Sequence, residues 1–171
     1  KPDQKGEGDN KLQLMYCSTP QRGLDVLLSA LDLIDRDDFH LHVHSSFEIY
    51  GWKQNNKPFE KLFEKCESDP RVTYHGYTPY DELREAWKSK HILAYPSTWQ
   101  ETSCRVAMEA MSAHCAVVTS NYGALPETCG EYAYMYTYDE NKDEHAVKFA
   151  DELEDLIRSL GYDVRDLVDE I

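Results

Sequence analysis

The chain has 171 residues, enough for one domain that buries about 70% of the surface its unfolded form exposes. With 18 Lys and Arg against 32 Asp and Glu, the formal charge is −14, which argues against nucleic acid and anionic membrane as partners, since both are bound by neutralising cations. Five cysteines with no C-x-x-C pair indicate neither a disulfide framework nor a zinc site, and they fit a reducing cytoplasm.

In chain order, the opening "KPDQKGEGDNK" lacks the apolar region of a signal peptide, so residues 1–11 read as a linker. Apolar periodicity then alternates between strand and helix types. "LQLMYCS" (12–18) is expected as a strand and "GLDVLLSALDLI" (23–34) as a helix; "HLHVHSSF" (40–47) is a second strand. "FEKLFEKCES" (59–68) is a helix, "RVTYHGY" (71–77) a strand, and "PYDELREAWKS" (79–89) a helix with proline in its first turn. "HILAYPS" (91–97) is a strand, "SCRVAMEAMSA" (103–113) a helix, "AVVTS" (116–120) a short apolar strand and "YAYMYTY" (132–138) a last strand. The amphipathic stretch 143–161 is a helix that Gly161 is expected to cap, and residues 162–171 read as a helical tail.

Strands separated by helices at this spacing imply an α/β fold: a parallel, Rossmann-like sheet over 12–161 with helices on both faces. No internal repeat is present. Ligands of such sheets bind outside the carboxyl ends of the strands, so function is expected in the loops that follow them.

Those loops are "TPQRG", "EIYG", "TPYDE", "TWQETS" and "NYGALPET". Turn chemistry explains any one of them; their common edge is the informative feature. Arg22, just before Gly23 at the mouth of a helix, is a surface charge or, together with free helix amides, an anion grip. Glu101 stands in a loop and Glu109 in the next helix. If that helix began at Glu101, eight steps of 100° would leave the two about 80° apart, both facing the crevice. Solvent-facing carboxylates are the alternative in so acidic a chain. Thr102 or Ser103 is expected as the N-cap, leaving the amides of Cys104 and Arg105 exposed to a second anion.

Taken together, "YPS", Glu101-x7-Glu109-Ala110-Met111, "VVTS" and Gly123-x3-Glu127, with "STPQRGLDVLLSAL" upstream, resemble the donor-binding half of retaining glycosyltransferases of family 4, which have GT-B architecture. The resemblance runs from about Leu12 to Glu131. It implies that this chain is the carboxyl-terminal half of such an enzyme and binds a UDP- or GDP-linked sugar. In that scheme Glu109 accepts from the ribose hydroxyls, while Arg22 next to Gly23 holds the diphosphate together with amides around Thr102, Ser103, Cys104 and Arg105. Glu101 faces the transferred sugar as the catalytic residue, and the loop Gly76-Tyr77-Thr78 borders the base. The family needs no metal and no cofactor, and the donor loops here carry no Asp-x-Asp. The acceptor, a glycan or another hydroxyl compound, would be bound by a preceding domain outside this chain.

The pattern departs in three places: "TSCRV" lacks the usual glycine, "YCST" lacks a second Arg, and "AHCAVV" puts His114 near where glycine is usual. A non-catalytic nucleotide- or sugar-binding module is therefore the alternative. His40, His42 and His44 alternate along one strand and are expected on its surface rather than around a metal. Tyr132, Tyr134, Tyr136 and Tyr138 are expected to pack beneath the last helix.

Overall fold

The computed structural model describes residues 11–169, the side chains of 161–169 excepted. Most of the expected linker and the end of the expected tail lie outside the described residues. Six parallel strands, β1 (Leu12–Cys17), β2 (Phe39–His44), β3 (Val72–Tyr74), β4 (Ile92–Tyr95), β5 (Ala116–Ser120) and β6 (Ala133–Tyr136), form one sheet in the order β3-β2-β1-β4-β5-β6. The helices are α1 (Leu24–Leu33), α2 (Glu60–Ser68), α3 (Tyr80–Trp87), α4 (Arg105–Ser112), α5 (Leu125–Cys129) and α6 (Lys142–Asp169). The expected Rossmann-like α/β class is the observed one.

The middle strands are the most apolar because both of their faces are covered. All four residues of β4 are buried, as are Val117, Val118, Thr119 and Ser120 of β5. Right-handed crossovers from β1 to β2 to β3 put α1 and α2 on one face. The crossovers that return through β4 and β5 put α3, α4 and α5 on the other. α6 runs back to pack on α1. Leu24, Leu27 and Leu31 of α1 repeat at helical spacing and are buried, each contributing about 2 kcal/mol of transfer free energy.

Three local expectations are corrected. α6 runs on in backbone through Gly161 to Asp169, so this glycine does not cap it. Of the tyrosine ladder, Tyr136 packs beneath α6, bonded to His145 at 2.8 Å, and Tyr138 sets its ring edge-on to His145 while stacking on Tyr122; Tyr132, in the turn before β6, and Tyr134, on β6, are exposed. α4 starts at Arg105 with Cys104 as its N-cap, not at Thr102 or Ser103, because the buried Glu101 and Cys104 hold the preceding loop in place.

Candidate functional site

The sheet order reverses between β1 and β4, whose following segments depart to opposite faces. The crevice between their carboxyl ends is thus the topological switch point. A cleft of about 700 Å³ opens there. Its walls come from the loops after β1, β2, β3 and β4 and from the first turns of α4.

The loop after β1 leads through a short 3-10 turn, Pro20–Arg22, into Gly23 at the N-cap of α1. Gly23 has φ 126, and a Cβ there would lie 2.1 Å from the Pro96 carbonyl oxygen. Only glycine lets the start of α1 close against the end of β4. This closure delivers Arg22 across to the β4 loop, where its Nη1 donates to Glu101 Oε1 at 3.1 Å and Oε2 at 3.3 Å. The guanidinium also lies 5.3 Å from the centre of the Trp99 ring. Burial, the largest single influence, lowers the pKa of Arg22, but the charge and hydrogen bond of Glu101 together with Tyr95 and Tyr50 outweigh it and the net shift is upward. Glu101 has a side chain only 7% exposed.

Glu101 is not on the helix, so the azimuthal reasoning from an eight-residue spacing does not hold. It reaches the cleft because its carboxylate is drawn down to Arg22 and to the Tyr95 hydroxyl, 2.6 Å away. Glu109 comes from the face of α4 and lines the same cleft. Arg105 Nε lies 3.3 Å from Glu109 Oε1, near enough to pair charges but off the line of a hydrogen bond, and this buried oxygen has no donor. The charge of Glu109 also reaches Cys17: burial first, then Glu109, pushes that thiol up to about 12. Burial likewise raises the Cys104 thiol to about 12. Both stay protonated and unreactive at neutral pH.

Of the residues singled out in the sequence, Arg22, Tyr77, Thr78, Glu101, Ser103, Cys104, Arg105 and Glu109 line the one cleft. Gly23 and Thr102 do not. Gly23 is pressed on Pro96, and Thr102 is exposed on the outside of the loop.

Sequence reasoning missed Thr19, His44, Tyr80 and Tyr95, which line the cleft as well. His44, expected as a surface residue, is 8% exposed at the end of β2 and bonds Thr78 Oγ1 through Nδ1 at 2.7 Å. Burial, then His75 and Lys90, lowers its pKa to about 4, so it is neutral at pH 7. Its position at the carboxyl end of a strand was the available signal. The other two β2 histidines are held by neighbours: His42 by His75 and Gln13, both at 2.9 Å, and His40 by Thr73 at 2.7 Å.

Four buried polar atoms of cleft residues have no hydrogen-bond partner among the described residues: Thr19 Oγ1, Arg22 Nε, His44 Nε2 and Glu109 Oε1, the last of which keeps the ion pair with Arg105. An unmade hydrogen bond at a buried group costs about 1 to 3 kcal/mol, and four such groups border this cleft. A cation facing carboxylates suits a molecule that is anionic at one end and rich in hydroxyls at the other.

Fold and cleft define a Rossmann-like α/β domain with a polar site at its switch point, the architecture of the GT-B glycosyltransferases. Residues 2–159 match the family described as "Glycosyl transferases group 1", and the chain belongs to that family. It is 25% identical over 142 residues to an uncharacterised glycosyltransferase of Methanocaldococcus jannaschii, covering 81% of this chain and 35% of that protein. It is 26% identical over 134 residues to spore coat protein SA of Bacillus subtilis, covering 76% and 36%. The chain thus spans about a third of the length of these relatives. Among solved structures, Anabaena HepE in complex with UDP-glucose superposes with a TM-score of 0.61 at 16% identity, covering 95% of this chain and 50% of that one. The C-terminal domain of the group 1 glycosyl transferase LpcC from Francisella tularensis gives 0.62 at 19% identity, covering 90% and 80%. No helix among the described residues is long and apolar enough to cross a membrane.

Proposed function

We propose that the cleft binds a nucleotide-diphosphate sugar, UDP- or GDP-linked, and that this domain is the donor-binding, carboxyl-terminal half of a retaining, family 4-like glycosyltransferase working in the cytoplasm without a metal or cofactor. The observation that carries this reading is the convergence of Arg22, Glu101, Glu109 and the unpartnered buried polar atoms in one cleft at the switch point. That a neighbour in fold, HepE, was solved with UDP-glucose supports the ligand class.

The division of roles follows from the chemistry of each group. Arg22, whose partly exposed side chain lines the cleft, grips the diphosphate, and the start of α4 adds amide dipoles. Glu109, with an oxygen in want of a donor, takes the ribose hydroxyls. His44, Tyr77 and Thr78 border the base. Glu101 faces the sugar, where a carboxylate stabilises positive charge at the anomeric carbon as the bond to the phosphate oxygen breaks. The bonding electron pair leaves with the diphosphate, the acceptor oxygen forms the new bond on the same face, and the acceptor proton passes to the departing phosphate. The acceptor, a glycan or other hydroxyl compound, is held by a further domain of a longer protein, in keeping with relatives of which the matched stretch is about a third. Glycan or polysaccharide synthesis is the setting this chemistry fits.

Calorimetric titration with UDP and GDP tests the reading. Arg22→Ala is expected to weaken binding by about 2 to 4 kcal/mol, the scale of a desolvated charge-assisted contact. Equal affinity in the mutant and the wild type would remove Arg22 from the site. A non-catalytic nucleotide- or sugar-binding module is the second reading, favoured by the glycine-free loop "TSCRV" at the cleft wall. Sugar transfer by the complete protein decides between the two.

A further inference from the structure

Glu101 is held from beneath by a side chain that no role above uses. Tyr95, the last residue of β4, is fully buried, and its ring packs 5.9 Å from that of Tyr16. Its hydroxyl donates to Glu101 Oε1 at 2.6 Å, the short distance of a charge-assisted bond. Arg22 Nη1 reaches both oxygens of the same carboxylate. Tyr95, Glu101, Arg22 and Trp99 therefore form a continuous chain of contacts from the core to the cleft wall. Burial first, then the Glu101 charge, drives the Tyr95 pKa well above its ordinary value, so its hydroxyl keeps the proton it donates.

We propose that Tyr95 is a positioning residue for the anion grip: by fixing the Glu101 carboxylate it fixes the Arg22 guanidinium, with Nη1 anchored and the exposed part of the side chain held toward the cleft. This rests on the reading of the cleft as a nucleotide-diphosphate site. A free arginine side chain carries rotamer entropy that a ligand would otherwise have to remove. Here that ordering is done in advance, between the carboxylate on one side and the indole on the other. Were Glu101 held by Arg22 alone, carboxylate and guanidinium would swing together, and the guanidinium would lose its orientation at the cleft wall.

The test is a double-mutant cycle read by calorimetry with UDP and GDP, on the wild type, Tyr95→Phe, Arg22→Ala and the double variant. Tyr95→Phe deletes one oxygen and keeps the ring in the core. It is expected to weaken diphosphate binding about 10-fold, the scale of one rotamer-rich side chain left unordered, and to have no further effect once Arg22 is alanine. Wild-type affinity in Tyr95→Phe overturns the proposal; so does the same loss in both backgrounds, which would mean a general effect on packing. A second, ligand-free readout is the NMR signal of the Arg22 Nε–H and the Trp99 indole. Both are expected to shift in Tyr95→Phe and to stay fixed in Tyr136→Phe, which removes a buried hydroxyl outside the cleft. If the wild type binds neither nucleotide, the reading of the cleft fails, and these signals alone decide on Tyr95: no shift overturns its role and a shift sustains it.

Discussion

Gly123 lies so close beneath Glu101 that a Cβ on it would stand 2.5 Å from the Glu101 amide nitrogen and 2.7 Å from its carbonyl oxygen. The next residue, Ala124, donates its amide to that same carbonyl at 2.8 Å. The loop after β5 is thus the floor on which the Glu101 loop rests, and Gly123, at φ 62, is small enough to leave room for it.

Gly123→Ala must push backbone against backbone, with no flexible side chain to give way. We expect a loss of about 2 to 3 kcal/mol in stability, seen as a lower urea midpoint with unchanged slope. Nucleotide affinity should fall with it, since Glu101 and Arg22 move together. A fully stable variant with normal affinity would show that the Glu101 loop does not depend on this contact.

Glu109→Gln tests the ribose end separately from the phosphate end. The variant keeps the size of the side chain but loses the charge, and it is expected to weaken UDP or GDP binding by about 1.5 to 3 kcal/mol. The 2′-deoxy nucleotide should bind the wild type comparably weakly and lose little more in the variant. If calorimetry shows the deoxy and ribo forms losing equally on mutation, Glu109 does not read the sugar hydroxyls.

The fold was legible because six apolar runs and five amphipathic stretches alternate everywhere except between β5 and β6, and each maps onto an observed strand or helix within a few residues. What escaped were features set by tertiary contact. α5 is five residues long and shows no periodicity of its own. The start of α4 is fixed by the buried Glu101 and Cys104 rather than by a capping hydroxyl, so reading Thr102 and Ser103 as caps misplaced it. Both glutamates were read as facing the crevice, which they do, but Glu101 arrives there through Tyr95 and Arg22, a pairing that no sequence spacing reveals.

One departure from the family pattern has a conformational counterpart. His114, near where the family resemblance implies a glycine, is the one non-glycine residue at positive φ among the described residues, at 60°. It follows the last turn of α4, where its amide donates to Met111 O and that of Cys115 to Ala110 O. A side chain in the left-handed region costs about 1 to 2 kcal/mol, and this one is exposed, with little packing to lose. His114→Gly is expected to raise stability by about 1 kcal/mol in urea unfolding, despite the greater freedom glycine brings to the unfolded chain. A destabilised variant would mean that the imidazole makes up the strain through its surroundings.

The histidines beside the cleft give the domain a pH-dependent stability whose sign follows from their shifts. Burial, then Lys90 and the neighbouring His40, His75 and His44, lowers His42 to about 3; burial, then His75 and Lys90, lowers His44 to about 4. Burial and then Lys90 and His40 lower His75, which stacks on His44 with ring centres 4.3 Å apart. In the unfolded chain each takes a proton near its ordinary 6.5, whereas in the fold each stays neutral to lower pH, His42 and His44 down to about 3 and about 4. Below 6.5 the unfolded state therefore binds more protons, and stability declines as pH falls toward the folded values. The thermal midpoint should drop by about 5 °C between pH 7 and pH 5, a window above most carboxylate titration. His42→Asn, which removes one member of the cluster, should flatten that slope. A midpoint constant over this range would mean that the cluster accepts protons in the fold as readily as out of it, and that the His44 to Thr78 bond on the cleft wall is not kept by a neutral imidazole.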